Sequence, residues 1–140
     1  MTRIAFVCVG NAGRSQLATA FAERERERRD LAVEIVTGGV DPADHIHDDV
    51  VAVLEEVGID IGDRTPREIT SESVADADYV VTMGCAVEAV TPENWNGEAE
   101  TWDLEHPGGD DLEATRAQRD EIERRVQAFF DRIAPDERRQ

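Results

Sequence analysis

The chain has 140 residues, enough for one hydrophobic core, and a composition of 40% hydrophobic and 5% aromatic residues permits a modest aliphatic one. With 32 Asp and Glu against 15 basic residues, all of them arginine, the formal net charge is −17, which argues against nucleic acid or an anionic membrane as a partner. No apolar run approaches the ~18 residues of a membrane helix, and the opening MTRIAFVCVGNAGRS lacks the shape of a secretory signal.

In chain order, RIAFVCV (3–9) is a short apolar run ending at glycine and is predicted as a strand buried on both faces. RSQLATAFAERERERR (14–29) is predicted as a helix, with Leu17, Ala18, Phe21 and Ala22 on one side and alternating charge making a solvated continuation. LAVEIVTGG (31–39) reads as a second strand. Val50, Val53, Leu54 and Val57 recur at helical spacing, so HDDVVAVLEEVG (47–58) is predicted as an amphipathic helix stopped by Gly58. ADYVVTMG (77–84) reads as a third strand, EAETWDL (98–104) as a weaker fourth, and EHPGGDD (105–111) as a loop. Ile122, Val126, Phe129, Phe130 and Ile133 mark a last helix, predicted to end near Pro135 with DERRQ frayed. Alternating strands and helices predict one α/β domain spanning 1–140, with a parallel sheet between helical layers.

Acidity spread along the whole chain, with lysine absent, resembles the composition of halophilic proteins from cells that hold molar salt; an ordinary acidic protein from a GC-rich genome is the alternative. Two cysteines, Cys8 and Cys85, are too few for a disulfide scaffold and suit a cytoplasmic protein with one or two working thiols.

The loop CVGNAGRS carries the chemistry. Ligands of such folds sit beyond the carboxyl ends of the strands. Cys8 falls at the end of the first strand and Arg14 at the start of the first helix, so the backbone amides of Val9, Gly10, Asn11, Ala12 and Gly13 can converge on a tetrahedral oxyanion near the positive end of a helix dipole. Gly10 and Gly13 allow close approach, and Asn11 tolerates a left-handed backbone. Arg14 adds a planar fork for two oxyanion oxygens. The same surroundings favour a thiolate, to which Ser15 could donate a hydrogen bond, making Cys8 a nucleophile aimed at the central atom of the anion.

On these residues the chain resembles the low-molecular-weight protein tyrosine phosphatase superfamily and, within it, the arsenate reductases. The resemblance runs from about residue 3 to 134. CVGNAGRSQLA is similar to the reductases' signature loop, with Gln16 where the phosphatases typically carry proline. EVGIDIGDRTPREIT, DYVVTMGC and WDLEHPGG followed by RDEIERRVQAF resemble further segments of the reductases. The resemblance implies a four-stranded parallel sheet in a three-layer sandwich, an oxyanion site at Cys8, and a second redox thiol at Cys85. It also implies a general acid before Pro107. The family has Asp there; this chain has His106, with Glu105 and Asp103 nearby as alternatives.

The family's thioredoxin-coupled members use a third cysteine, and AVEAVTPENW has none. The first expectation is therefore an arsenate reductase without a resident cofactor. An external thiol reductant, a thioredoxin-like protein or a small thiol, restores Cys8. Its substrate is arsenate, or a phosphate-type oxyanion in the second reading, a phosphotyrosine or phosphomonoester phosphatase working through a phosphocysteine. A non-catalytic oxyanion sensor is the third. His45 and His47 have a spacing that could suit a metal, but a polar helix N-terminus explains them better, and no metal site is expected.

Overall fold

The computed structural model describes residues 2–104 and 111–137. Four strands, β1 (Thr2–Cys8), β2 (Val33–Gly39), β3 (Tyr79–Met83) and β4 (Glu98–Thr101), form one parallel sheet in the order β2-β1-β3-β4. The helices are α1 (Arg14–Arg29), α2 (Asp48–Glu55), α3 (Ser71–Ala75) and α4 (Leu112–Glu137).

β1 is central and covered on both sides, which explains its unbroken apolar run. Ile4, Phe6 and Cys8 point to one face, where Leu17 and Phe21 of α1, Val53 and Leu54 of α2, and Ile122, Val126 and Phe129 of α4 enclose them. Ala5 and Val7 point to the other, packed with Val74 of α3, Val80 and Val90. The expected helices on both faces are present but unequal: the three long ones share a face, and the short α3 with neighbouring loops covers the other. The edge strand β4 carries Glu98 and Glu100, charges that discourage further strand addition.

The predicted strands and helices stand with boundaries moved by a few residues, while the loop predicted at 105–111 lies, except for Asp111, outside the described residues. α2 gives way to a turn before Gly58, whose φ of +83° is left-handed as its stop role requires. α4 does not end at Pro135 but runs to Glu137. Its start is capped by Asp111, whose side chain accepts from Ala114 N–H at 3.1 Å. α3 has no counterpart among the predicted elements: it is too short for periodicity and is capped by Thr70 Oγ1 accepting from Ser73 N–H at 3.1 Å. None of the described helices is long and apolar enough to cross a membrane.

The topology makes the site. From β1 the chain goes to β2 on one side, then crosses to β3 on the other, so the carboxyl end of β1 borders a point where the connections diverge. The register pairs Cys8 with Gly39 on one side and with Met83 on the other, two residues before Cys85.

Candidate active site

Beyond β1 the chain turns through residues 9–13 into α1. Segment 40–47 holds this loop from outside: the amides of Val40, Asp41, Ala43 and His47 donate to the carbonyls of Cys8 (3.3 Å), Val9 (2.9 Å), Gly10 (2.9 Å) and Ala12 (3.0 Å). Every described peptide is trans, and in a trans peptide the N–H points opposite the C=O. With these carbonyls turned outward, the amides of Val9, Gly10, Asn11 and Gly13 face the loop's interior. The amide of Asn11 does so visibly, donating to Cys8 Sγ at 3.2 Å. Asn11 has φ +51°, the left-handed conformation expected of it.

Inside lies a cavity of ≈ 230 Å³ lined by Cys8, Val9, Gly10, Ala12, Gly13, Arg14, Ala43 and His47. It is a nest of amides at a helix start with a guanidinium beside it, the arrangement that binds a tetrahedral oxyanion. Cys8 is buried at its floor, with Ser15 Oγ 2.8 Å from the sulfur. Asn11 belongs to the loop, but its side chain is fully buried behind it rather than lining the cavity. That side chain donates to Ser15 Oγ (2.7 Å) and Thr37 Oγ1 (2.9 Å), and accepts from Arg67 N–H (3.0 Å) and Gln16 Nε2 (3.1 Å).

Arg14 is 8% exposed and donates from Nη1 to the carbonyl of Leu104 at 3.0 Å. Its guanidinium lies against Gly84, where a Cβ would come within 2.7 Å of both terminal nitrogens. Cys85 follows, half-buried and free, like Cys8, of any disulfide. Burial, then the charge of Cys8, pushes its thiol above the ordinary value, against a Met83 backbone hydrogen bond and the Arg14 charge, which pull the other way.

Sequence reasoning brought Cys8, Arg14, Ser15, Cys85 and the loop residues to one sheet edge, where they stand. His106, with Glu105, lies outside the described residues. His47 precedes α2, as the helix-start reading expects, and its ring also borders the cavity, with Nδ1 3.5 Å from where a Cβ on Gly13 would be. Among the described residues, no group of three or more His, Cys, Asp or Glu side chains is gathered to hold a metal ion.

The profile of the Low molecular weight phosphotyrosine protein phosphatase family matches residues 3–139. The chain belongs to that family. A Halobacterium salinarum protein provisionally named an arsenate reductase is 50% identical over 97% of this chain and 96% of its own. Among solved structures, a Corynebacterium glutamicum thioredoxin-dependent arsenate reductase is 32% identical with a TM-score of 0.79, over 98% of this chain and 64% of that longer one. An arsenate reductase in a phosphate-binding state is 33% identical with a TM-score of 0.78, over 95% of this chain and 99% of its own. The enzyme fold read from the sequence, and the reductases as its relatives, are thus borne out.

Proposed function

We propose that the whole chain, 1–140, is one catalytic domain that reduces arsenate to arsenite in the cytoplasm, at the expense of an external thiol and without a resident cofactor. The Cys8 thiolate attacks arsenic(V). A hydroxyl leaves as water with a proton from a general acid, for which His106 is the candidate, and a sulfur–arsenic bond forms. Arg14 and the amides of the loop hold the remaining oxygens in line. A second thiol then attacks Cys8 Sγ. The sulfur–arsenic bond breaks with its electron pair staying on arsenic, arsenite departs, and a disulfide remains. Cys85 is the candidate for that second thiol, and a small cytoplasmic thiol or a thioredoxin-like protein supplies the two electrons that restore Cys8.

The observation that carries the reading is a free second cysteine two residues beyond Met83, the β3 partner of Cys8, next to the glycine that seats Arg14. A phosphatase passing through a phosphocysteine needs no such thiol. The family's own description makes phosphomonoester hydrolysis the second reading. The experiment is a pair of assays on one preparation: arsenite formation with and without added thiol, and hydrolysis of a chromogenic phosphomonoester without it. Thiol-dependent arsenite with little hydrolysis supports the reductase; vigorous hydrolysis and no arsenite overturns it.

A further inference from the structure

We infer that Gln16 is a positioning residue for the nucleophile: its amide holds Asn11 in the orientation that Thr37 and Arg67 set, and Asn11 in turn directs the Ser15 hydroxyl proton onto Cys8. The inference rests on Cys8 being the reactive thiol.

The direction of this network can be worked out from groups that have no choice. The Phe6 carbonyl only accepts, so the Thr37 hydroxyl 2.9 Å away must donate to it. Its single proton spent, Thr37 Oγ1 can only accept from Asn11, so the group facing it is the NH₂ of the amide. At the other end the Arg67 backbone N–H only donates, so the group it meets is Asn11 Oδ1. The second proton of the Asn11 NH₂ goes to Ser15 Oγ, and the one proton of Ser15 is left directed at Cys8 Sγ, 2.8 Å away. The sulfur then accepts from Ser15 O–H and Asn11 N–H together, which favours its anionic form.

Gln16 completes the lock. It is 2% exposed on the first turn of α1, and Nε2 donates both to Asn11 Oδ1 (3.1 Å) and to the Asn11 backbone carbonyl (3.0 Å). A carbonyl oxygen can only accept, so the NH₂ end of Gln16 must face Asn11. The other end, Oε1, is buried and accepts from no group among the described residues. Leaving a buried acceptor unpaired is unfavourable. Turning the amide round would relieve that oxygen of nothing and set it against two oxygens of Asn11. The same double grip holds the peptide of a non-glycine residue in the left-handed region, where it needs support. Gln16 does not line the cavity, so it acts on the sulfur only through its neighbours. Among the described residues, the ionisable side chains around Cys8 are Arg14 at the start of α1, His47 before α2 and Cys85 beyond β3; neither hydrogen bond of Gln16 Nε2 involves them.

The test reads the thiolate directly and needs no arsenate, so it is independent of whether the enzyme proves to be a reductase. Iodoacetamide alkylation of Cys8 is followed by mass spectrometry across pH in the full chain, with Gln16→Met, Ser15→Ala and the double variant beside it. Gln16→Met keeps the side-chain length and removes the donor. It is expected to move the midpoint of the Cys8 profile upward and to slow alkylation below that midpoint by about three- to tenfold, the size of a weakened hydrogen bond to a charged group. In the Ser15→Ala background most of that effect should vanish, since the path runs through Ser15. If Gln16→Met does not fold, Gln16→Leu, which also removes the donor and adds no charge, takes its place with the same expectation. An unchanged Cys8 profile in a folded variant, whatever its melting temperature, overturns the proposal. So does a shift that persists in full without the Ser15 hydroxyl.

Discussion

The guanidinium of Arg14 occupies the space that a side chain on residue 84 would need. Gly84 has φ +85°, and a Cβ built there would lie 2.7 Å from Nη1 and Nη2 and 2.9 Å from Cζ. The glycine after β3 is thus required twice, once for its backbone and once for the arginine it seats. Gly84→Ala should lose roughly 1–2 kcal/mol of stability from the left-handed backbone alone. It should also displace the fork, lowering kcat/KM for arsenate by at least about tenfold, the consequence of ~1.4 kcal/mol of lost transition-state binding. Arg14→Lys, which keeps the charge without the fork, should show a loss of that order and no backbone penalty. Kinetics near wild type in both variants would mean that the loop amides position the anion unaided.

Cys8→Ser should abolish arsenite formation and any phosphomonoester hydrolysis while the fold persists. Serine is close in size, and its hydroxyl is a far weaker nucleophile at neutral pH. Activity above a trace in either assay, with identical circular dichroism, would remove Cys8 from the chemistry.

The two thiols should differ in reactivity and in role. Burial and the neighbouring Cys8 charge hold the Cys85 thiol above the ordinary range, so Cys85 should be alkylated at neutral pH more slowly than a free thiol and should speed up only in alkali. Cys85→Ser should stop arsenite formation supported by a thioredoxin-type protein and spare whatever phosphomonoester hydrolysis exists. Full activity of this variant with a small thiol would show that the small thiol attacks Cys8 directly. Loss of both activities with an intact fold would mean that Cys85 shapes the site instead.

What could be read in the sequence was local. A buried strand, a glycine loop and a helix lie consecutively, so Cys8, Arg14 and the loop amides declared themselves by spacing. What could not be read depends on residues distant in the chain. Gly84 looks like any turn glycine until Arg14, seventy positions earlier, is packed against it. His47 resembles other polar residues at a helix start, and its place at the cavity wall follows from the docking of segment 40–47 on the loop, which includes the bond from its amide to the Ala12 carbonyl. Gln16 served in the sequence as a mark separating reductases from phosphatases, and its double donation to Asn11 has no signature in spacing. α3 escaped because five residues hold less than two turns of pattern.

Glu56 ties the end of α2 to α4. Arg116 holds its carboxylate with Nε and Nη2, at 3.0 and 2.7 Å, and Arg119 Nη1 adds a bond at 2.8 Å while also donating to the Val53 carbonyl at 2.9 Å. The Arg116 hydrogen bonds first, then that of Arg119, lower the Glu56 carboxyl from its ordinary value to about 2. A carboxyl depressed on folding adds stability above its unfolded value, and that addition is lost as pH falls through the folded one. Glu56→Gln should therefore melt below wild type at neutral pH, and the gap should close as pH drops from about 4.5 toward 2. A gap constant over that window would show that Glu56 contributes by packing and not by charge.

The net charge leads to an expectation about salt. Once every arginine is matched to a carboxylate, −17 remains. Among the described residues most arginines are paired in this way, as in Arg24–Glu123, Arg29–Asp131, Arg64–Glu23 and Arg132–Glu100. Salt has two opposing effects on such a surface. It weakens exposed ion pairs, each worth about 0–1 kcal/mol, and it screens repulsion among the surplus carboxylates, which acts against the compact state. The pairs are outnumbered by the surplus, so relief of repulsion should win. The substrate feels the same balance. Arsenate approaching a net-negative protein is repelled over about 30 Å at 0.01 M salt but over only about 3 Å at 1 M. The loop amides and Arg14 act at contact inside a small cavity, where screening reaches them less. Melting temperature and kcat/KM for arsenate should therefore both rise as a monovalent salt goes from tenths of molar toward molar. Varying the anion separates screening from competition at the site: chloride and a larger, weakly bound anion should give the same rise, whereas a competitor for Arg14 would raise KM alone. A monotonic fall of both quantities with salt, whichever anion is used, would mean that the ion pairs dominate and that the acidity is no adaptation to salt.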